Sequence, residues 1–328
     1  MKNILYIIVG LTVICFAQPK FEATNSAPGE FSRMGFLPRG LAMGNALSAV
    51  TTGNLSGYYN PALSVFQEQN SAQTGYTFLS LDRQLNFLSF TRKFEFGAKD
   101  TAGKPKATAG LSLGIINSGV SNIDGRDNNG FSTGPLRTSE NLFFLSFANK
   151  ISKKVALGFG VRFYYYKLYE GISATGTGFD IGMVYSVSDN LKVAAVVQDL
   201  NTAYKWDTSS LFGTDGLSTT NKFPTTKKLG TYYHMPELGI KLAGEFEANS
   251  YGRKLLRAGV ESIIYPGVSL RGGLDNFVLN NGDELIQPTL GFTVAQTLYG
   301  MNAAFEYAFV VEQYSGTPRH SVGLSVQF

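Results

Sequence analysis

Tyr299-Gly300-Met301-Asn302-Ala303-Ala304-Phe305-Glu306-Tyr307-Ala308-Phe309 decides the fold. Every second residue (Tyr299, Met301, Ala303, Phe305, Tyr307, Phe309) is apolar, and the residues between (Gly300, Asn302, Ala304, Glu306, Ala308) are small or polar. Period two is a β-strand with unlike faces. The pattern recurs along the chain. Val322, Leu324, Val326 and Phe328 alternate with Ser321, Gly323, Ser325 and Gln327. Leu238, Ile240, Leu242 and Phe246 alternate with Gly239, Lys241, Ala243 and Glu245. Val155, Leu157, Phe159, Val161, Phe163 and Tyr165 alternate with Lys154, Ala156, Gly158, Gly160, Arg162, Tyr164 and Tyr166. The second face, made of Gly, Ala, Ser, Asn and scattered charge, is the filling expected of a barrel lumen.

About fourteen such segments occur, near 72–82, 84–94, 106–117, 139–149, 153–167, 174–187, 190–199, 224–234, 237–247, 254–264, 267–277, 285–296, 299–311 and 319–328. An even count returns both ends of a barrel to one side. The connections alternate in length. Those at 149–153, 188–190, 235–236, 265–267 and 296–299 are tight, whereas 118–138, 200–223, 276–284 and 312–318 are long and rich in Gly, Asn, Asp, Ser and Thr. Two connections break the rule, 82–83 being short and 96–105 long. Short periplasmic turns and long outer loops mark outer-membrane barrels. The expected fold is therefore all-β, a roughly 14-stranded antiparallel transmembrane barrel over residues 71–328.

Composition agrees. The 328 residues are 44% hydrophobic, 13% aromatic and only 16% charged, against about 25% charged in an ordinary soluble domain. One cysteine and two histidines argue against a disulfide scaffold and a Cys/His zinc site. The net charge of +4 carries no strong basic run, so nothing recruits nucleic acid. Residues 1–17 read as an export signal, with Lys2, an apolar run over 4–16 and small Cys15 and Ala17 at the cleavage positions. That run is too short for a helix that crosses a bilayer, which takes ~20 residues. Tyrosines at strand ends (Tyr164, Tyr165, Tyr166, Tyr169, Tyr232, Tyr233, Tyr265, Tyr299) suit interfacial girdles.

Residues 18–70 have no long period-2 run. Small residues dominate, so this backbone can pack closely and is expected to form a hatch in the lumen. A short helix is expected near 41–50, and Asn60 is placed to cap another with Pro61 in its first turn. Arg39-Gly40-Leu41-Ala42-Met43-Gly44-Asn45-Ala46 followed by Tyr58-Tyr59-Asn60-Pro61-Ala62-Leu63 resembles the start of the PorV/PorQ family, within the wider FadL-like outer-membrane proteins. The resemblance continues in Gly158–Tyr166 and in Val196-Val197-Gln198-Asp199-Leu200, where relatives often carry Asn in place of Asp199. It implies a fourteen-stranded barrel plugged by an N-terminal hatch, its motif matched here by Arg39, Gly40, Met43, Gly44, Asn60, Pro61 and Ala62. PorV-like members assist type IX protein secretion and surface attachment. FadL-like members pass hydrophobic small molecules through the barrel wall.

Lys241, Glu245, Arg257, Glu261, Arg271, Asp275 and Glu306 fall on the small or polar registers of neighbouring strands. A Lys or Arg facing lipid at the midplane would cost about 2–4 kcal/mol, so they are expected to point inward, pair, and anchor the hatch through Arg39. No catalytic constellation, metal-ligand set, phosphate loop or cofactor motif is readable. His234 and His320 have no Ser/Asp partners in pattern, and Asp124–Gly130 lacks the terminal Glu of a calcium loop. The leading expectation is a non-enzymatic outer-membrane barrel of PorV/PorQ type, surrounded by outer-membrane lipid, whose outer loops meet secretion-system or secreted proteins. The alternative is a FadL-like channel for a hydrophobic ligand, which predicts an apolar pocket beside the hatch and a kinked, unpaired strand opening sideways.

Overall fold

The computed structural model describes residues 27–35, 37–99, 105–280, 286–312, 315 and 317–328. The export signal at 1–17 and the start of the pre-barrel segment, 18–26, lie outside the described residues. Sixteen strand segments form one antiparallel sheet. They are β1 (Ser71–Phe78), β2 (Arg83–Lys99), β3 (Pro105–Arg126), β4 (Ser132–Lys150), β5 (Val155–Tyr169), β6 (Ile172–Ser186), β7 (Leu191–Leu200), β8 (Ala203–Asp207), β9 (Ser218–Lys222) and β10 (Thr226–Met235), followed by β11 (Ile240–Asn249), β12 (Lys254–Tyr265), β13 (Val268–Val278), β14 (Gln287–Leu298), β15 (Met301–Val310) and β16 (Arg319–Gln327). Fourteen of them close a ring, because β1 pairs with both β2 and β16, Ser71 standing opposite Thr91 and Gln327. Closure leaves no free edge strand, as a sheet in hydrocarbon requires, although β6 is unpaired on one side over residues 176–178.

The alternation sorts as its chemistry demands. Leu145, Leu290 and Leu324 face out and are 51%, 62% and 56% exposed, while inward Glu261 is 3% exposed. Apolar groups outside and charged groups inside invert the rule for a protein in water and fit a transmembrane barrel. The short turns and the pairing of Asn70 with Phe328 lie at one end. The longest hairpins lie at the other, which is therefore the outer end.

Four expectations are corrected. Residues 118–138 are mostly strand, β3 and β4 pairing up to Arg126 opposite Ser132. This hairpin stands beyond the apolar band, where Gly, Ser and Asn pair without hydrophobic alternation. The 200–223 interval holds β8 and β9, which pair with each other from Ala203–Lys222 to Asp207–Ser218, and a helical turn at Ser209–Phe212. The helix expected near 41–50 is instead α1 at Pro38–Ala42. Gly44 and Asn45 adopt left-handed φ of 58° and 60° and end it. Gly44 packs where a side chain would strike the carbonyls of Ala258 and Leu274. Finally, Tyr164, Tyr166 and Tyr232 are not girdle residues. Tyr166 packs inward on Tyr204 and Trp206. Tyr164 and Tyr232 are 0% and 2% exposed and belong fully to the interior, the inward register placing them among residues far away in sequence.

Candidate functional site

Residues 37–67 lie inside the ring, and their hydrogen bonds run round it. Leu55 O accepts from Gln73 Nε2 of β1 (2.9 Å) and Thr91 Oγ1 of β2 (2.9 Å). Gly57 N donates to Ser112 Oγ of β3 (3.0 Å), and Tyr58 O accepts from Arg162 of β5 (3.1 Å) and Gln198 of β7 (2.8 Å). Thr289 of β14 donates to Ala42 O (3.1 Å), and Asn54 donates to Ser325 of β16 (2.7 Å). Such close contact needs glycines on the wall. At Gly158 and Gly110, a Cβ would meet the backbone of Pro61–Ala62 and of Ser64–Val65.

Asn60, Pro61 and Ala62 build a 3₁₀ turn, Pro61–Phe66, capped by the Asn60 side chain, whose Oδ1 accepts from Ala62 N at 2.9 Å. Asn60 Nδ2 donates to Ser48 O (2.8 Å) and to Met183 O on β6 (3.3 Å). One side chain thus ends a turn, bridges two parts of the segment and ties it to the wall. Asn60→Ala should cost about 1–3 kcal/mol, read as a lower urea midpoint in detergent. An unchanged midpoint would show these bonds contribute nothing net.

Three ionic clusters hold the segment. In the first, Arg39 Nε donates to Glu261 (2.9 Å), which also receives Lys241 (2.7 Å) and Arg271 (2.7 Å). Burial works against the charged form of Arg39, but the Glu261 carboxylate outweighs it and the guanidinium pKa rises. Beside it, Arg257 joins Asp275 (2.7 Å), Glu247 (2.5 Å) and Glu245 (3.3 Å), while Asn45 donates to Asp275 (2.7 Å) and Ser48 N to Glu245 (3.2 Å). Glu306 stands apart from both, inward on β15, with Ser325 Oγ at 3.5 Å. Gly40 packs on the Tyr59 hydroxyl, and Met43 is buried against Gly259.

The third cluster is not among the residues singled out from the sequence. Arg162 binds Asp180 at 2.6 Å with Asp199 at 4.0 Å, and its guanidinium lies 5.1 Å from the centre of the Tyr58 ring. Tyr164 donates to Asp199 (2.6 Å). Above it, towards the outer end, Phe31, Tyr164, Phe223, Tyr204, Tyr166 and Trp206 form a continuous aromatic cluster. Arg162 and Asp180 sit on the small register of β5 and β6, a signal as readable as that of β11–β13.

Beside this cluster the wall breaks. β6 pairs with β7 only up to Phe179–Leu200, and again with β8 at Thr175–Lys205. Residues 176–178 have no ladder partner on that side. Asp199 and Asn201 take left-handed φ of 57° and 56°, which kinks the β7–β8 strand. A cavity of about 650 Å³ opens there, lined by Thr175, Thr177, Phe179, Thr202, Lys205 and Phe223 among others. Thr202 Oγ1 at its floor is buried without a hydrogen-bond partner among the described residues. Among those residues there is no cluster of three or more metal-ligating side chains.

No family model and no curated protein matches the sequence. Solved structures do match the fold. The toluene transporter TodX of Pseudomonas putida is 13% identical, with a TM-score of 0.58 over 89% of this chain and 96% of its own. A Pseudomonas aeruginosa FadL homologue is 10% identical, with a TM-score of 0.51 over 90% of this chain and 98% of its own. The chain has a FadL-like barrel fold, the architecture of a bacterial outer-membrane protein.

Proposed function

We propose that this chain is an outer-membrane channel for hydrophobic small molecules, with residues 18–70 as its hatch. The observation that carries the reading is the break in the wall. A kinked, partly unpaired strand opens sideways next to an aromatic-lined interior, and the notch reaches from the exposed rim at Thr175 to buried Phe223. The notch itself is mixed rather than the apolar pocket expected, with Thr175, Thr177, Thr202, Thr220, Lys205 and Lys222 beside Phe179, Phe223 and Tyr251. The preference for an apolar solute therefore rests on the aromatic cluster behind it, where such a solute exchanges water for aromatic contacts. Support also comes from the segment, where Asn45 Oδ1, Ser48 Oγ, Tyr59 Oη and Gln67 Nε2 are buried without partners among the described residues. Each such atom costs about 1–3 kcal/mol and lowers the cost of moving the segment. The TodX likeness, to a monoaromatic hydrocarbon channel, points the same way. The test is toluene entry into vesicles holding the purified protein. Toluene should enter faster than into empty vesicles while a sugar does not, and Thr175→Trp at the rim should slow it severalfold. Toluene flux equal to that of empty vesicles would refute the reading.

The secretion-assisting role implied by the PorV/PorQ resemblance has one supporting observation. The outer hairpins carry exposed apolar side chains, Phe131 at 71%, Phe212 at 61% and Leu217 at 72%, a pattern suited to contact with a protein. A deletion strain separates the two readings. Lost toluene uptake with normal surface proteins supports the channel, and the reverse supports secretion.

A further inference from the structure

On the lipid-facing side of β2, β3 and β4, three asparagines stand in one row, Asn86 opposite Asn117 and Asn117 opposite Asn141. Two residues nearer the membrane centre on the same face are Leu88, Ile115 and Phe143. The amides bond along the row. Asn86 donates to Asn117 (3.4 Å) and Asn117 to Asn141 (2.8 Å) and Ser139 (3.2 Å), while Asn141 donates to Ser139 (3.2 Å) and to Tyr165 O on β5 (3.5 Å). Amides are costly beside hydrocarbon unless satisfied, and Asn86 Oδ1 accepts no hydrogen bond among the described residues. Below the row, a groove of about 530 Å³ opens to the lipid between Thr74, Tyr76, Leu88, Ile115, Val322 and Leu324, with Asn86 and Asn117 also lining it. Gly75 and Gly323, opposite each other, belong to the inward register and give the groove only their backbone as a floor. Beyond the row, towards the outer end, Arg137 and Lys167 are exposed on the same face of β4 and β5. The neighbouring carboxylate Glu140 belongs to the inward register.

We propose that this face binds a phosphorylated outer-leaflet glycolipid with amide-linked acyl chains. Groove, amide row and cations follow one another from the membrane centre outwards, and so do the acyl chain, amide linkage and phosphate of such a lipid. The row selects amide over ester linkage. A side-chain amide both donates and accepts and is complementary to another amide, whereas an ester only accepts. The site lies on the outside of β1–β5. Its β5 edge adjoins the rim of the wall break, Tyr165 pairing with Thr175, but its groove shares no lining residue with the notch and the proposal does not depend on the channel reading.

The test is native mass spectrometry of the full chain in detergent with bis-phosphorylated lipid A, and separately with phosphatidylglycerol. The parent protein should retain lipid A in preference to phosphatidylglycerol. The double variant R137E/K167E should hold lipid A about tenfold more weakly, as removal of close charge pairs implies. Asn117→Leu should erase the preference between the two lipids. Lys227→Glu, an exposed cation of β10 on another part of the wall, should change nothing. Heat-modifiable gel mobility verifies that each variant is folded. Equal retention of both lipids by the parent, equal lipid A binding by the parent and R137E/K167E, or an equal loss in Lys227→Glu would overturn the proposal.

Discussion

Glu261→Ala is expected to destabilise the barrel by about 3–5 kcal/mol, the cost of leaving buried charge uncompensated. Glu261 is 3% exposed and binds Arg39, Lys241 and Arg271 at 2.9, 2.7 and 2.7 Å. Removing it strands three cations. Removing Arg39 leaves Glu261 with two partners, so the effect should be smaller. The loss should show as a lower urea midpoint in detergent. It should also show as raised ion conductance in planar bilayers, because Arg39 is the side chain through which α1 holds to this cluster. Glu261→Gln preserves shape and two hydrogen-bonding groups but not charge, and should still lose most of the stability. Adding Arg271→Leu to Glu261→Ala should recover part of the loss by removing one stranded cation. A Glu261→Ala protein as stable and as closed as the parent would contradict the anchoring role.

Gly158→Val should be comparably damaging, for a steric reason. Gly158 and Gly160 both face inward on β5, two residues apart. A Cβ at Gly158 would run into the backbone of Pro61 and Ala62, which cannot rotate away. At Gly160 the nearest atoms would be Asp180 Cβ and Ser146 Oγ, both at 3.3 Å. Overpacking costs about 1–3 kcal/mol when neighbours can shift, and more is expected where they are main chain. Gly158→Val should therefore displace the 3₁₀ turn, lower the urea midpoint and open the lumen to ions, whereas Gly160→Ala should be nearly silent. Equal tolerance at both positions would show that the turn does not rest against β5 as described.

Much of the barrel was legible because strand alternation is local. Met301, Phe305 and Leu324 face lipid, and Glu306 and Ser325 face inward, as period two alone requires. The inward set on β11–β13 was legible for the same reason, since a charge on a membrane strand has one affordable direction. The Asn60 cap was legible because capping spans two residues. Partners were not. Period two says that Arg162 and Tyr164 lie inside, but not that Asp180, Asp199 and Tyr58 O meet them.

The amino-acid sequence by itself determined the set of membrane strands, their greasy outer face and their polar inner face, because each depends on which way neighbouring side chains point. Only the tertiary structure decided where the wall breaks between β7 and β8, which tyrosines leave the girdle for the interior, and that Asn86, Asn117 and Asn141 line up on one row. Those features depend on the register between strands, which is set by the pairing of the whole ring and leaves no trace in any single segment.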